Sequence, residues 1–205
     1  MYVLRKLLGL TTWRGLGWHA AVLLGGLSSA FAGGNSISIE VANDREPHDF
    51  GISKDMKYEI SGVHSFDNGL FIGGLFQYTD PTSGGSDSQN IEGSVGYRLP
   101  LTRIWTLDGS ARLGGRFDPA SSDFAYYVFK VGTSVELSHR WTWTVLGYRY
   151  RNAFDTDNDY DTPELSTAVA LRVTETDFVT AKVYREWKDG SPDDTGLALG
   201  VRHEF

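Results

Sequence analysis

Residues 90–117 read NIEGSVGYRLPLTRIWTLDGSARLGGRF. They hold two alternating runs joined by the short connection PLT at 100–102. One register carries Ile91, Val95, Tyr97 and Leu99, then Trp105, Leu107, Ala111, Leu113 and Phe117. The other carries Glu92, Ser94, Gly96 and Arg98, then Asp108, Ser110, Arg112, Gly114 and Arg116. Successive strand side chains point to opposite faces, so the pattern predicts a hairpin with one oily face and one small or charged face. A water-soluble sandwich would give the same alternation, so the rest of the chain must say what the oily face meets.

Working outward, the same alternation recurs ten times, over 35–42, 51–64, 70–79, 90–99, 104–117, 124–138, 140–153, 164–174, 177–188 and 195–205. These segments are rich in Val, Ile, Thr and aromatic residues, the types that suit a pleated, half-buried surface. Their connections alternate in length. FDNG (66–69), PLT (100–102), SH (138–139) and TET (174–176) are short; NDREPHDF (43–50), DPTSGGSDSQ (80–89), DPASSD (118–123), DTDNDYDTPE (155–164) and DGSPDD (189–194) are longer. Short turns at one end, longer loops at the other and an even strand count form the pattern of a bacterial outer-membrane barrel.

The beginning of the chain agrees. Arg5, Lys6 and Arg14 precede the apolar run GLGWHAAVLLGGLSSAFA, which closes on Ala30-Phe31-Ala32. Residues 1–32 are therefore expected to be a signal peptide and 33–205 the barrel. The 205 residues contain no cysteine, which removes disulfides and Cys-ligated zinc from consideration. No stretch beyond the leader reaches the roughly 18 apolar residues of a spanning helix, whereas a spanning strand needs only about 9–11.

In this frame one register faces lipid and the other lines the interior. The interior register holds Arg98, Arg112, Arg116, Lys130, Arg149, Arg151, Arg172, Lys182 and Arg202, beside Asp55, Lys57, Glu59, Glu92, Asp108, Glu136, Glu186 and Glu204. Segment 140–153 strains the scheme, because Trp141 and Trp143 share a register that Tyr148 and Tyr150 do not. The expected solution puts Leu146, Tyr148 and Tyr150 outside and Arg149 and Arg151 inside, with the tryptophans near the edge or past a bulge. Two readings of the interior stand. It is an electropositive lumen that draws carboxylates or phosphates through the arginine fork, or it is a narrow barrel plugged by its own ion pairs.

The net charge of −7 is expected to reside in the loops, with Asp44, Glu46, Asp49, Asp80, Asp87, Asp118, Asp123, Asp155, Asp157, Asp159, Asp161, Glu164, Asp189, Asp193 and Asp194 forming a solvated acidic collar. DTDNDYD resembles a calcium loop in its alternating aspartates but has Tyr160 where the glycine belongs and Ser166 where the glutamate belongs; no metal site is assigned. Nor is a catalytic one. His64, His139 and His203 fall at the short-turn end, and only His48 lies in a long loop, without a nucleophile or base set around it. No basic exposed patch suggests nucleic acid.

The leader, the meander, LGYRYRN (146–152), DNDYD (157–161) and the closing LALGVRHEF (197–205) together resemble the oligogalacturonate-specific porin family. Phe205 itself resembles the terminal aromatic that the assembly machinery of outer-membrane proteins reads. The porin resemblance implies a monomeric twelve-stranded channel for acidic oligosaccharides with basic tracks along its lumen. It would place Arg149 and Arg151 in such a track, with Arg98, Arg112, Arg116 and Arg172 facing them.

The expectation is thus an all-β, up-and-down antiparallel transmembrane barrel of about ten strands, twelve being the alternative, in a bacterial outer membrane. It acts as a porin-like channel for small anionic solutes; the alternative is a non-conducting surface barrel with acidic extracellular loops. Expected partners are outer-membrane lipids, lipopolysaccharide and anionic solutes. No cofactor, enzymatic activity or protein partner is assigned.

Overall fold

A computed structural model describes residues 33–205 except residues 83, 156, 158 and 159. The expected signal peptide lies outside the described residues. Ten strands follow one another: β1 (Gly33–Arg45), β2 (Ser53–Phe66), β3 (Leu70–Pro81), β4 (Ser88–Pro100), β5 (Trp105–Phe117), β6 (Phe124–Ser138), β7 (Trp141–Ala153), β8 (Glu164–Arg172), β9 (Asp177–Lys188) and β10 (Ser191–Glu204). Each pairs antiparallel with its neighbour, and β1 pairs with β10 over Ser36–Glu204 through Arg45–Thr195. The sheet closes at ten strands, so the twelve-stranded alternative does not hold. Closure leaves no unpaired edge, the condition for burying strands in hydrocarbon.

The pairing register locks the two faces. Across β1 to β3, Val41 lies beside Tyr58 and Tyr58 beside Tyr78; across β4 to β6, Val95 lies beside Ala111 and Ala111 beside Phe129. Slipping any strand by one residue would turn its charges into the oily face, so the hydrophobic pattern fixes the register. That face is exposed: Ile39, Ile91, Leu113, Phe129, Val183 and Leu199 each show more than a third of their surface. It belongs against lipid, where a Lys or Arg at mid-depth would cost about 2–4 kcal/mol.

β7 resolves the tryptophan conflict with a bulge. Its register shifts against β6 between Thr133 and Ser134, and against β8 between Thr144 and Gly147. The extra residue lets Trp141 and Trp143 share the outer face with Leu146, Tyr148 and Tyr150, while Arg149 and Arg151 point inward. The Trp143 indole donates to Thr167 Oγ1 (2.9 Å), which in turn donates to the Thr144 carbonyl (2.8 Å). The carbonyl of a bulged segment thereby keeps a partner on the lipid side.

One connection is shorter than expected. Asp189 and Gly190 both have positive φ (50° and 73°), the backbone of a two-residue hairpin whose twist matches the strands. β10 therefore starts at Ser191, and a bulge between Pro192 and Asp194 absorbs the proline. Residues expected in the acidic collar move accordingly. Asp193 and Asp194 lie on β10, Asp44 on β1, Asp80 on β3 and Glu164 at the start of β8. Of these, Asp44, Glu164 and Asp194 are buried. Propensity alone put them in loops because aspartate is a turn residue; in the folded chain Lys57, Arg149 and Lys54 hold them instead.

Candidate functional site

All nine cations expected to line the interior lie on the inner face of the barrel. Their pairing partners place them there: Arg98 beside Asp108, Arg112 beside Ser94, Arg116 beside Asn90, Lys130 beside Ser110, Arg149 beside Glu164, Arg172 beside Phe178, Lys182 beside Ala198, Arg202 beside Ser38 and Arg151 beside Val128. They form two groups at different depths.

The half nearer the long loops is a belt of ion pairs. Arg149 lies 3.0 Å from Glu164 and contacts Glu186; Arg151 reaches Glu186 at 3.6 Å. Lys182 bridges Glu40 (3.4 Å) and Glu164 (4.0 Å), and Arg112 meets Glu92 at 2.9 Å. Asp44, wholly buried, is held by Lys57 and by the Tyr184 hydroxyl, which reaches over β10 to it. Tyr126 likewise reaches over β5 to donate to Glu92 (2.9 Å). Two glycines make room for these rings: a methyl on Gly196 would land within the Tyr184 ring, and one on Gly114 would lie 2.6 Å from Tyr126 Cζ. Between β2 and β5 this packing leaves a gap of about 60 Å³, lined in part by Glu59, Leu75, Glu92 and Arg112.

Tyr160 and Thr162 of the β7–β8 connection lie against this belt. Tyr160 turns inward until it is only 8% exposed. Its ring centre lies 4.1 Å from the Arg151 guanidinium and 5.5 Å from that of Arg116, and it packs edge-on to Phe124 and Tyr126 at 5.0 and 5.2 Å. Arg151 Nε donates to Thr162 Oγ1 (3.0 Å), fixing the same loop from its other side. At the rim, burial works against ionisation of Asp118. The Ala120 amide (3.0 Å), the Ser86 hydroxyl (2.8 Å) and Arg116 (3.6 Å) more than offset it, and its carboxyl sits below the usual range.

The half nearer the short turns is different. Arg202 stands over the Phe178 ring at 4.3 Å and Arg172 beside the same ring at 5.1 Å. Arg202 and Arg172 pair with Phe178 from its two sides in the ladder, and Arg98 lies at the same end on β4, so three guanidinium groups stand at this mouth. Arg202 has Glu204 at 3.1 Å, and Arg98 lies beside Asp108 in the ladder. Gly96 makes room here for the Phe71 ring, whose Cζ a methyl at that position would overlap. A recess of about 460 Å³ opens at this end against Phe66, Phe71, Arg98 and Thr106.

Sequence reading did not anticipate several of the groups these cations touch. Asp44, Glu40, Glu164 and Asp194 are inward acids, and Tyr126, Tyr160 and Tyr184 are inward rings. The strand parity of Glu40, in phase with the inward Ser38, was the available signal for one of them. Nothing local marks Tyr160 as inward, because a loop side chain has no parity.

No protein-family profile and no curated protein sequence matches the chain. Solved structures do. A KdgM porin in complex with disordered oligogalacturonate aligns over 82% of this chain and 99% of its own, with a TM-score of 0.53 and 11% identity. An outer-membrane channel from Pseudomonas putida F1 aligns over 86% and 97% (TM-score 0.51, 10% identity), and the β-domain of the Bordetella autotransporter BrkA over 84% and 99% (TM-score 0.50, 10% identity). At such identity the likeness is one of fold. With its closed ladder and its girdle of exposed apolar side chains, the chain has the fold of the bacterial outer-membrane β-barrels.

Proposed function

We propose that the protein is a narrow porin-like channel for small anionic solutes such as acidic sugars. The short-turn mouth is its basic vestibule and the ion-pair belt its constriction. The observation that supports this reading is the pair Arg172 and Arg202 about the Phe178 ring, with Arg98 lining a recess at the same end. Guanidinium groups present paired donors matched to carboxylates, and inside a low-dielectric wall their field is weakly screened. Arg112, Arg116, Lys130, Arg149, Arg151 and Lys182 line the constriction, where carboxylates nearly balance them, so anion preference originates at the mouth. No residue is given a catalytic role.

A second reading is favoured by one feature, the inward Tyr160. With that ring clamped between Arg116 and Arg151, the barrel is a sealed scaffold whose loops face the environment.

Planar-bilayer recording in a salt gradient tests both. The channel reading expects discrete conductance with a reversal potential favouring anions, and a shift of that potential toward zero when Arg98, Arg172 and Arg202 become alanine. Discrete conductance with unchanged selectivity in that variant would remove the vestibule from the account. No conductance over the accessible voltage range would leave the sealed scaffold.

A further inference from the structure

Three neighbouring residues on the outer wall each carry a donor that meets no acceptor among the described residues. Arg45 on β1 pairs with Thr195 on β10, and Thr195 pairs with Arg185 on β9. They form one row in the lipid-facing register, directly beyond Leu197 and Val183 toward the loops. Neighbouring strands stand about 4.8 Å apart, so the two arginines flank the threonine within reach of a single small group. Arg45 Nε, Thr195 Oγ1 and Arg185 Nε are all shielded and lack a hydrogen-bond partner among the described residues. Arg45 spends one terminal nitrogen on the Phe50 carbonyl (2.7 Å), and neither arginine meets a carboxylate among those residues. Arg112, Arg149, Arg151 and Lys182 inside the belt, by contrast, stand against acids. Two nearby acids are already engaged: Asp193 is held by Lys54 at 3.0 Å, and Asp49 accepts from the Gly51 amide at 3.0 Å.

An arginine facing lipid is tolerated only near the interface, where anionic headgroups can answer it. This row lies at that level, with Trp187 two residues beyond Arg185 on the same outward register, as an interfacial aromatic should be. We propose that Arg45, Thr195 and Arg185 form a binding site for the phosphate of a phosphorylated outer-leaflet lipid. The acyl chains of that lipid lie along Val41, Val183 and Leu197. Two guanidinium groups and a hydroxyl between them supply charge-assisted donors to phosphate oxygens, and the apolar strip below supplies the contact a free phosphate could not use.

The test uses the protein refolded in non-ionic detergent and native mass spectrometry with three probes: bis-phosphorylated lipid A, the same lipid stripped of phosphate, and inorganic phosphate. The expected result is retention of the phosphorylated lipid roughly tenfold more tightly than the stripped one. Adducts should fall by a similar factor in R45Q/R185Q and by less in T195V. Inorganic phosphate at millimolar concentration should not displace the lipid. Equal retention of the two lipids, or undiminished adducts in R45Q/R185Q, would overturn the site; displacement by inorganic phosphate would overturn its assignment to a lipid. Heat-modifiable mobility on gels reports folding of each variant, and R45K/R185K, which keeps charge but loses the fork, serves should the glutamine pair misfold. Intermediate retention is expected for it, and wild-type retention would reject the role of the guanidinium geometry.

Discussion

Tyr160 lies over Arg151 with 4.1 Å between its ring centre and the guanidinium carbon, so a loop aromatic occupies the axis-facing side of a strand cation. An exposed tyrosine in an acidic loop would gain nothing from this position. Here the ring gains two cation contacts and two edge-on aromatic neighbours, each interaction being worth roughly 0.5–1.5 kcal/mol.

Removing that ring should act on both passage and stability. Y160A is expected to raise single-channel conductance, or to create conductance where the parent has none, while lowering unfolding stability by about 2–3 kcal/mol. Y160F should keep the block, since the phenol contributes only a long 3.4 Å contact to Arg116. Conductance of Y160A equal to that of the parent would show that the ring does not limit passage.

Glu186 answers Arg149 and Arg151 together. Replacing it with glutamine leaves Arg149 with Glu164 and Arg151 with the Thr162 hydroxyl and the Tyr160 ring. Breaking a buried pair on one side costs about 3–5 kcal/mol, because the remaining charge is still buried. E186Q should unfold at markedly lower urea concentration. If it conducts, it should be more anion-selective than the parent, which reversal potentials would measure.

Gly196 is expected to tolerate no side chain. A methyl there would displace the Tyr184 ring from its place over β10 and with it the hydroxyl bond to Asp44. Overpacking of this kind costs about 1–3 kcal/mol. G196A should lose stability by that amount in urea titrations, whereas G93A, on the outer face with nothing within 4 Å of the new methyl, should be near neutral.

The rim should loosen in acid. The Asp118 carboxyl is held below the usual range in the folded protein despite its burial, by the Ala120 amide, the Ser86 hydroxyl and Arg116. A depressed folded-state value stabilises at neutral pH, and that contribution is lost as pH falls through about 4, the unfolded value, and below. The protection of the Ala120 amide, taken relative to its intrinsic exchange rate at each pH, should therefore fall in acid. D118N should show low protection already at neutral pH, with the acid dependence gone.

The strand count and the strand faces were readable from residue order, because a strand repeats every two residues and lipid admits almost no charge on one of its faces. The clash between Trp141–Trp143 and Tyr148–Tyr150 left an edge position or a bulge open, and the pairing register of β7 decided for the bulge. The two-residue turn at Asp189–Gly190 was not readable, since the following SPDD looks like more loop until a bulge places it on β10. Partners of the inner charges were equally hidden. Tyr184 meets Asp44 across an intervening strand, 140 residues apart in sequence, and only closure of the sheet brings β9 within reach of β1. Periodicity tells which way a side chain points; what it finds there depends on how many strands close the ring, and therefore on the tertiary structure alone.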